Sequence, residues 1–224
     1  MNRRPGLIGS AIALAVMLAA SAWAWPQLPA DARVPVHWGL DGTPDRYGGK
    51  VLGLLGLPAI AIGVALLLAV VPAVEPRAGN LARSQRAYSV TWVATMAFLA
   101  VVHLAAVASA VGVDVPVTSA AVVAAGALLA VVGVALRRTR STYTFGIRTP
   151  WTLDSDRAWA RTHAVGSVLF VALGVATAVA GLLSAPRVQV AVLLGGLAAV
   201  LLALLAVSYV TWRTDPDRRS DGGV

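Results

Sequence analysis

The sequence predicts an all-α membrane protein: a bundle of six transmembrane helices with both termini cytoplasmic, one folded outer loop and one long inner loop. Three observations carry this. Of 224 residues, 58% are hydrophobic and only 12% are charged, about half the charge of a soluble domain. Six apolar runs approach or exceed the roughly 20 residues a helix needs to cross hydrocarbon. Basic residues also fall unequally between alternate loops.

The first run, residues 7–25, follows Arg3 and Arg4. The stretch "ASAWA" has small residues at signal-cleavage spacing. The run of 19 residues nevertheless exceeds a usual signal-peptide core, so a retained span is expected. The remaining spans are read at 51–71, 88–111, 118–136, 164–184 and 188–210. Short hairpins at 112–117 and 185–187 make spans three and four, and five and six, antiparallel neighbours. The apolar runs lack the period-two alternation of a membrane strand. In the fifth run Gly174, Ala178 and Gly181 share one face, a small-residue pattern that lets helices approach closely.

With the N-terminus inside, the inner side holds Arg3, Arg4, Arg77, Arg83, Arg86, Arg137, Arg138, Arg140, Arg148, Arg157, Arg161, Arg213, Arg218 and Arg219. The outer side holds Arg33, Arg46, Lys50 and Arg187. That asymmetry sets the orientation, inner membrane with both ends inside. Trp23 and Trp25 then end the first span at the outer boundary.

Composition narrows the function. Cysteine is absent, which excludes disulfides, thiolate nucleophiles and Cys-based metal sites. The formal charge of +8 is dispersed over short loops, so no direct nucleic-acid contact is expected. The spans contain no Asp, Glu, Lys or Arg and a single histidine, His103, whereas ion-coupled transport generally needs intramembrane carboxylates. His103 lies about 12 Å deep at 1.5 Å per residue and is expected to be neutral, bonded to a backbone carbonyl or a hydroxyl. His37, His103 and His163 read at three different depths, so neither a metal nor another cofactor is expected.

Polar chemistry concentrates in two loops. In the outer one, "VPVHWGLDGTPDRYGGK", Pro35 makes "RVPVHW" extended and Asp41-Gly42 reads as a turn. Thr43-Pro44-Asp45 reads as the cap and first turn of a short helix that Gly48-Gly49 ends. His37, Asp41 and Asp45 could act as base or metal ligands. Asp41 and Asp45 have local structural explanations, and no nucleophile accompanies them. In the inner loop Arg137, Arg138 and Arg140 suit anionic headgroups. "TLDSDRAWARTH" starts a helix capped by Thr152 or Asp154, with Asp154 and Asp156 in its first turn. Ser155, Trp159 and His163 share one face, with Arg157 and Arg161 on the next. Trp151 and Trp159 are expected to anchor the loop against the bundle.

"PVHWGLDGTPDRYGGK" after a first span resembles the signature of an uncharacterised bacterial membrane domain. "FGIRTPWTLDSDRAWARTH" resembles that of the SdpI-type immunity protein family, in which the two occur in this order. Gly39 departs from a common Asn, and Ser141-Thr142 from an expected Pro-Asn. The resemblance implies a non-enzymatic protein of the bacterial cytoplasmic membrane. It would protect its host from a secreted peptide toxin and could signal by holding a transcriptional repressor at the membrane. On this reading residues 1–72 form a two-span unit with outer loop 26–50. Residues 73–210 form a four-span SdpI-type unit with inner loop 137–163, and 211–224 a cytoplasmic tail. His37, Trp38, Asp45, Arg46 and Tyr47 would meet the toxin. Arg148, Trp151, Arg157, Trp159, Arg161 and His163 would meet a partner or set the conformation. The competing reading is a membrane enzyme or small-molecule transporter on the same scaffold.

Overall fold

The computed structural model describes residues 1–217; Arg218, Arg219 and the end of the expected tail lie outside them. Six helices are long and apolar enough to cross a membrane. They are α1 (Arg4–Ala24), α2 (Lys50–Val74), α4 (Gln85–Ala110), α5 (Val117–Leu136), α7 (Asp156–Leu183) and α8 (Pro186–Arg213). Short helices α3 (Ala78–Arg83) and α6 (Pro150–Asp154), a 3-10 turn at Trp25–Gln27, and strands β1 (Arg33–Trp38) and β2 (Pro44–Gly49) complete the described elements. The expected spans fall on these helices, with ends that differ by a few residues. The largest extension is at α7, which starts eight residues before the expected 164 because Ser155 caps it at that point.

Two helical groups make up the bundle. Helices α1, α2 and α4 enclose one core of Met17, Ala61, Tyr88, Trp92 and Met96, while α5, α7 and α8 enclose another of Leu136, Phe170, Leu173, Val200 and Leu204. Outward faces are apolar as well: Ile12, Leu66, Leu182, Leu194 and Leu202 are all exposed. Apolar residues on both faces of a helix mark a bundle surrounded by lipid rather than water. The tightest packing is between α5 and α7. A Cβ on Gly126 would lie 2.6 Å from the Gly174 carbonyl oxygen, and one on Gly174 would lie 2.5 Å from that of Gly126. Gly181 faces Val123 on the same seam, so the small-residue face is a helix–helix contact.

Both described ends of the chain lie at one end of the bundle. The Asn2 backbone N–H donates to Gln85 (2.8 Å), and Trp212 Nε1 donates to Asp154 (2.6 Å). The β-hairpin lies at the other, where Gly42 approaches Pro186 and Thr118.

His103 is fully buried in α4 and cross-links its group. Its Nε2 lies 3.0 Å from Ser21 Oγ and 3.1 Å from the Met17 carbonyl, and Ser21 Oγ donates to the Leu54 carbonyl at 2.6 Å. The hydroxyl proton is thus used on Leu54, so Nε2 carries its own proton and donates. The bonds to a backbone carbonyl and a hydroxyl are those the sequence suggested.

Three local expectations are corrected. The short outer helix does not form; 44–49 is β2, antiparallel to β1, with Pro35 opposite Tyr47 and Trp38 opposite Pro44. Thr43 is not a cap. Asp41 Oδ1 accepts from its N–H (3.0 Å) and its hydroxyl (2.8 Å), and Gly39 N–H donates to the Thr43 carbonyl (2.8 Å). That closes a glycine-containing hairpin loop with Gly42 at φ 82°, and Pro44 opens the strand, a position proline tolerates. The inner helix is two helices, capped by neither Thr152 nor Asp154. Thr149 caps α6 in a reciprocal box with Thr152, and Ser155 caps α7, accepting from Ala158 N–H at 2.8 Å. Between the second and third spans lies the short α3.

Candidate functional site

The outer candidates sit on the hairpin, which lies over the first turns of α2. No loop intervenes: β2 ends at Gly49 and α2 begins at Lys50. Val34 seats the sheet so closely that a Cβ on Gly53 would meet it at 2.4 Å. Lys50 closes the strap between α1 and β1, its Nζ donating to the Leu28 carbonyl (2.6 Å) and standing 4.8 Å from the Trp25 ring.

Two of the five outer candidates pair directly, His37 Nδ1 lying 2.6 Å from Asp45 Oδ1, with both side chains half exposed. Trp38 lines a cleft of about 510 Å³ beneath the hairpin, with Leu52 and Ile60 of α2, Phe98 and Val102 of α4 and Ala125 of α5. His37 reaches the same cleft. Tyr47 is exposed and lies under the Arg33 guanidinium, 5.6 Å from its ring centre. Arg46 is exposed and makes no hydrogen bond or ion pair among the described residues. Hydrogen bonds from the Thr43 N–H and hydroxyl hold the Asp41 carboxyl below its ordinary value; its role is the turn. The site therefore offers a carboxylate–imidazole pair and an indole beside an apolar cleft. A cationic, amphipathic ligand could place its charge on Asp45 and its apolar side in the cleft. Cation–π contacts with the aromatic faces would add about 0.5–2 kcal/mol each.

At the other end of the bundle the inner candidates are of two kinds. Trp159 and His163 are buried, stacked 4.0 Å apart at 18°. Trp159 Nε1 donates to the Thr139 carbonyl (3.2 Å), tying α7 to the segment after α5. His163 Nδ1 donates to the Trp159 carbonyl (2.8 Å), so its Nε2 is free to accept from Ile147 N–H (3.0 Å). The ring is thereby held as the neutral Nδ1–H tautomer. Trp151 packs edge-on to Tyr209 of α8 at 5.1 Å. Arg148 donates to the Tyr143 carbonyl (2.7 Å) and Arg157 to that of Thr214 (3.3 Å), both exposed, while Arg161 is exposed without such a bond.

Sequence reasoning missed Glu75, which organises this end. It follows α2 directly and is 5% exposed. It accepts from Arg77 N–H (2.8 Å), Tyr143 N–H (3.1 Å), Thr144 N–H (2.8 Å) and the Thr144 hydroxyl. Burial pushes its carboxyl upward, but these bonds outweigh that and hold it below the ordinary glutamate value. Arg77 extends the clasp, donating to Ser141 Oγ, the Tyr143 hydroxyl and the Leu153 carbonyl. One signal was available: Glu75 is the only glutamate in the chain. Asp215 was missed too; it accepts from the hydroxyl of Ser155.

Among the described residues no group of three His, Asp or Glu side chains could hold a metal. No curated protein and no solved structure matched the chain in comparison. Two family models did. Residues 12–62, which run from α1 through the hairpin into α2, match a domain of unknown function, DUF1648. Residues 138–211, from the inner loop through α7 into α8, match the SdpI/YfhL protein family. Those two segments hold the hairpin and the inner loop, the regions that carry the sequence signatures. Residues 138–211 thus resemble the SdpI/YfhL protein family and residues 12–62 the DUF1648 domain, in a chain with six helices long and apolar enough to cross a membrane.

Proposed function

We propose that this protein gives its host immunity to a secreted, membrane-active peptide toxin, without enzymatic chemistry, and that the hairpin is where toxin is met. The match of residues 138–211 to the SdpI/YfhL family supports the immunity class. The observation that carries the finer reading is the hairpin cleft, an apolar space of about 510 Å³ lined by His37 and Trp38, with Asp45 bonded to His37. A peptide inserting from outside would meet the carboxylate first and the apolar walls second. The terminal end, with the basic residues, faces the cytoplasm of a bacterial inner membrane. There the exposed Arg148, Arg157 and Arg161 offer a surface on which a transcriptional repressor could be held, with Trp151, Trp159 and His163 fixing the shape beneath.

The test is survival. The protein is expressed in a toxin-sensitive bacterium and challenged with the cognate peptide, beside Asp45→Asn and Trp38→Ala at matched membrane levels. Protection by the parent and loss in both variants is expected. Full protection by both would remove the hairpin from the mechanism. Orientation is tested separately with reporter fusions after Gly49 and Ala185, expected outside, and after Arg86 and Arg140, expected inside. An outside signal at Arg86 would refute it.

A further inference from the structure

At the terminal end, between α4, the segment after α5 and the start of α7, lies a cavity of about 840 Å³. Arg83, Arg86, Arg137, Arg138 and Arg140 line it, against one carboxylate, Asp156. None of the five guanidinium groups meets a carboxylate at ion-pair distance or donates a side-chain hydrogen bond among the described residues. Structural arginines in this protein behave otherwise: Arg77, at the same end, spends its guanidinium on three protein acceptors.

The wall is rigid. Arg140 N–H donates to Ser84 Oγ (2.8 Å), Asn80 Nδ2 donates to the Ser141 carbonyl (2.8 Å), and Trp159 Nε1 holds the Thr139 carbonyl. The arginines of that segment are thus presented from pinned backbone. A positive cluster of this density, held without counter-charge, lowers its free energy by taking an anion with several acceptor oxygens.

A second feature indicates which anion. An apolar groove of about 280 Å³ continues from the cavity along α4 and α5, sharing Arg86, Ala87 and Arg138 with it. Val90 and Val134 line the groove and are exposed on the membrane-facing surface. Charge at the level of the helix ends, followed by an apolar channel toward the bilayer, matches a lipid more than a soluble ion.

We infer that this cavity and groove form a binding site for one anionic phospholipid, its phosphate among the arginines and part of one acyl chain between α4 and α5. The site is independent of the immunity reading, because it uses no hairpin residue and no toxin.

The test uses the full-length protein in neutral detergent, with bound lipid counted by native mass spectrometry. Phosphatidylglycerol, phosphatidylcholine and glycerol phosphate are titrated separately. One phosphatidylglycerol per chain should be retained, with phosphatidylcholine at least tenfold weaker and glycerol phosphate unable to compete at equal concentration. Near a membrane surface each arginine contributes about 1 kcal/mol to such binding. Arg86→Gln or Arg138→Gln should therefore weaken it about fivefold, and the pair about 30-fold. Arg213→Gln, at the same end but outside the cavity, should leave binding unchanged. Size-exclusion and melting profiles identify any variant that misfolds, and the single variants carry the test if the double one does. Equal loss with Arg213→Gln would show diffuse attraction and overturn the site. Equal binding of phosphatidylcholine would also overturn it, and effective competition by glycerol phosphate would replace the lipid by a soluble phosphate.

Discussion

Gly146→Ala removes no side chain, yet it should be among the most damaging substitutions in the inner loop. Gly146 has φ 118°, a conformation that L side chains rarely adopt. A Cβ there would lie 2.7 Å from His163 Nε2 and 2.8 Å from Trp159 Cη2. Neither neighbour can swing aside, since the two rings are stacked and each holds a backbone group. Backbone strain contributes about 1–3 kcal/mol and overpacking about 1–3 kcal/mol. Displacing His163 from Ile147 N–H adds about 1 kcal/mol. These terms share atoms and do not simply add, so a total of roughly 3–5 kcal/mol is expected. At about 2–4 °C per kcal/mol for a chain of this size, the melting temperature should fall by about 10 °C. The assay is thermal melting of detergent-purified protein, followed by the size-exclusion peak. Gly79→Ala is the internal control: it lies in α3 with nothing within 4 Å of the added atom, and should be neutral or slightly stabilising. If Gly146→Ala melts within a degree or two of the parent, the inner loop is not the rigid unit described above.

Trp159→Ala empties a buried site and drops the bond to Thr139, so it should cost about 3–5 kcal/mol and deplete folded protein in the membrane. Arg157→Ala, with one exposed bond, should leave that level unchanged and alter only signalling; unchanged expression and melting in Trp159→Ala would refute the anchoring role. Glu75 gives a pH dependence. Its folded carboxyl is held below the ordinary value, so its contribution is fully present above the unfolded pKa of about 4.3. It is lost as pH falls through the lower folded value. Melting followed from pH 6 to pH 3 should show this loss in the parent and a shallower slope in Glu75→Gln; parallel slopes would contradict the assignment.

The spans were legible because lipid imposes length and apolarity on every crossing helix, a requirement written in consecutive residues. The Gly174–Gly181 face was legible for a similar reason: close approach needs small side chains at helical spacing. The hairpin was read as half extended and half helical, because Thr43-Pro44-Asp45 is a fair helix start in isolation. What decides against it is a pairing with β1 and a seat on Gly53 and Leu52. Neither is visible in a local window. The caps at Thr149 and Ser155 were each misplaced for want of one fact, that α6 and α7 are separate helices. Its lone occurrence could have singled out Glu75, but not its role, since Tyr143 and Thr144 lie 68 and 69 residues away in sequence.

Helix α2 runs for 25 residues with Pro58 and Pro72 inside it, about 37 Å at 1.5 Å per residue. One end is continuous with the hairpin and the other is followed at once by Glu75. A tilt of about 2° over that length displaces one end relative to the other by about 1.3 Å. A hydrogen bond of 2.8 Å, such as that from Thr144 N–H to Glu75, is lost well before such a displacement is complete. A tilt of α2 by that angle therefore breaks the clasp unless residues 143 and 144 move with it.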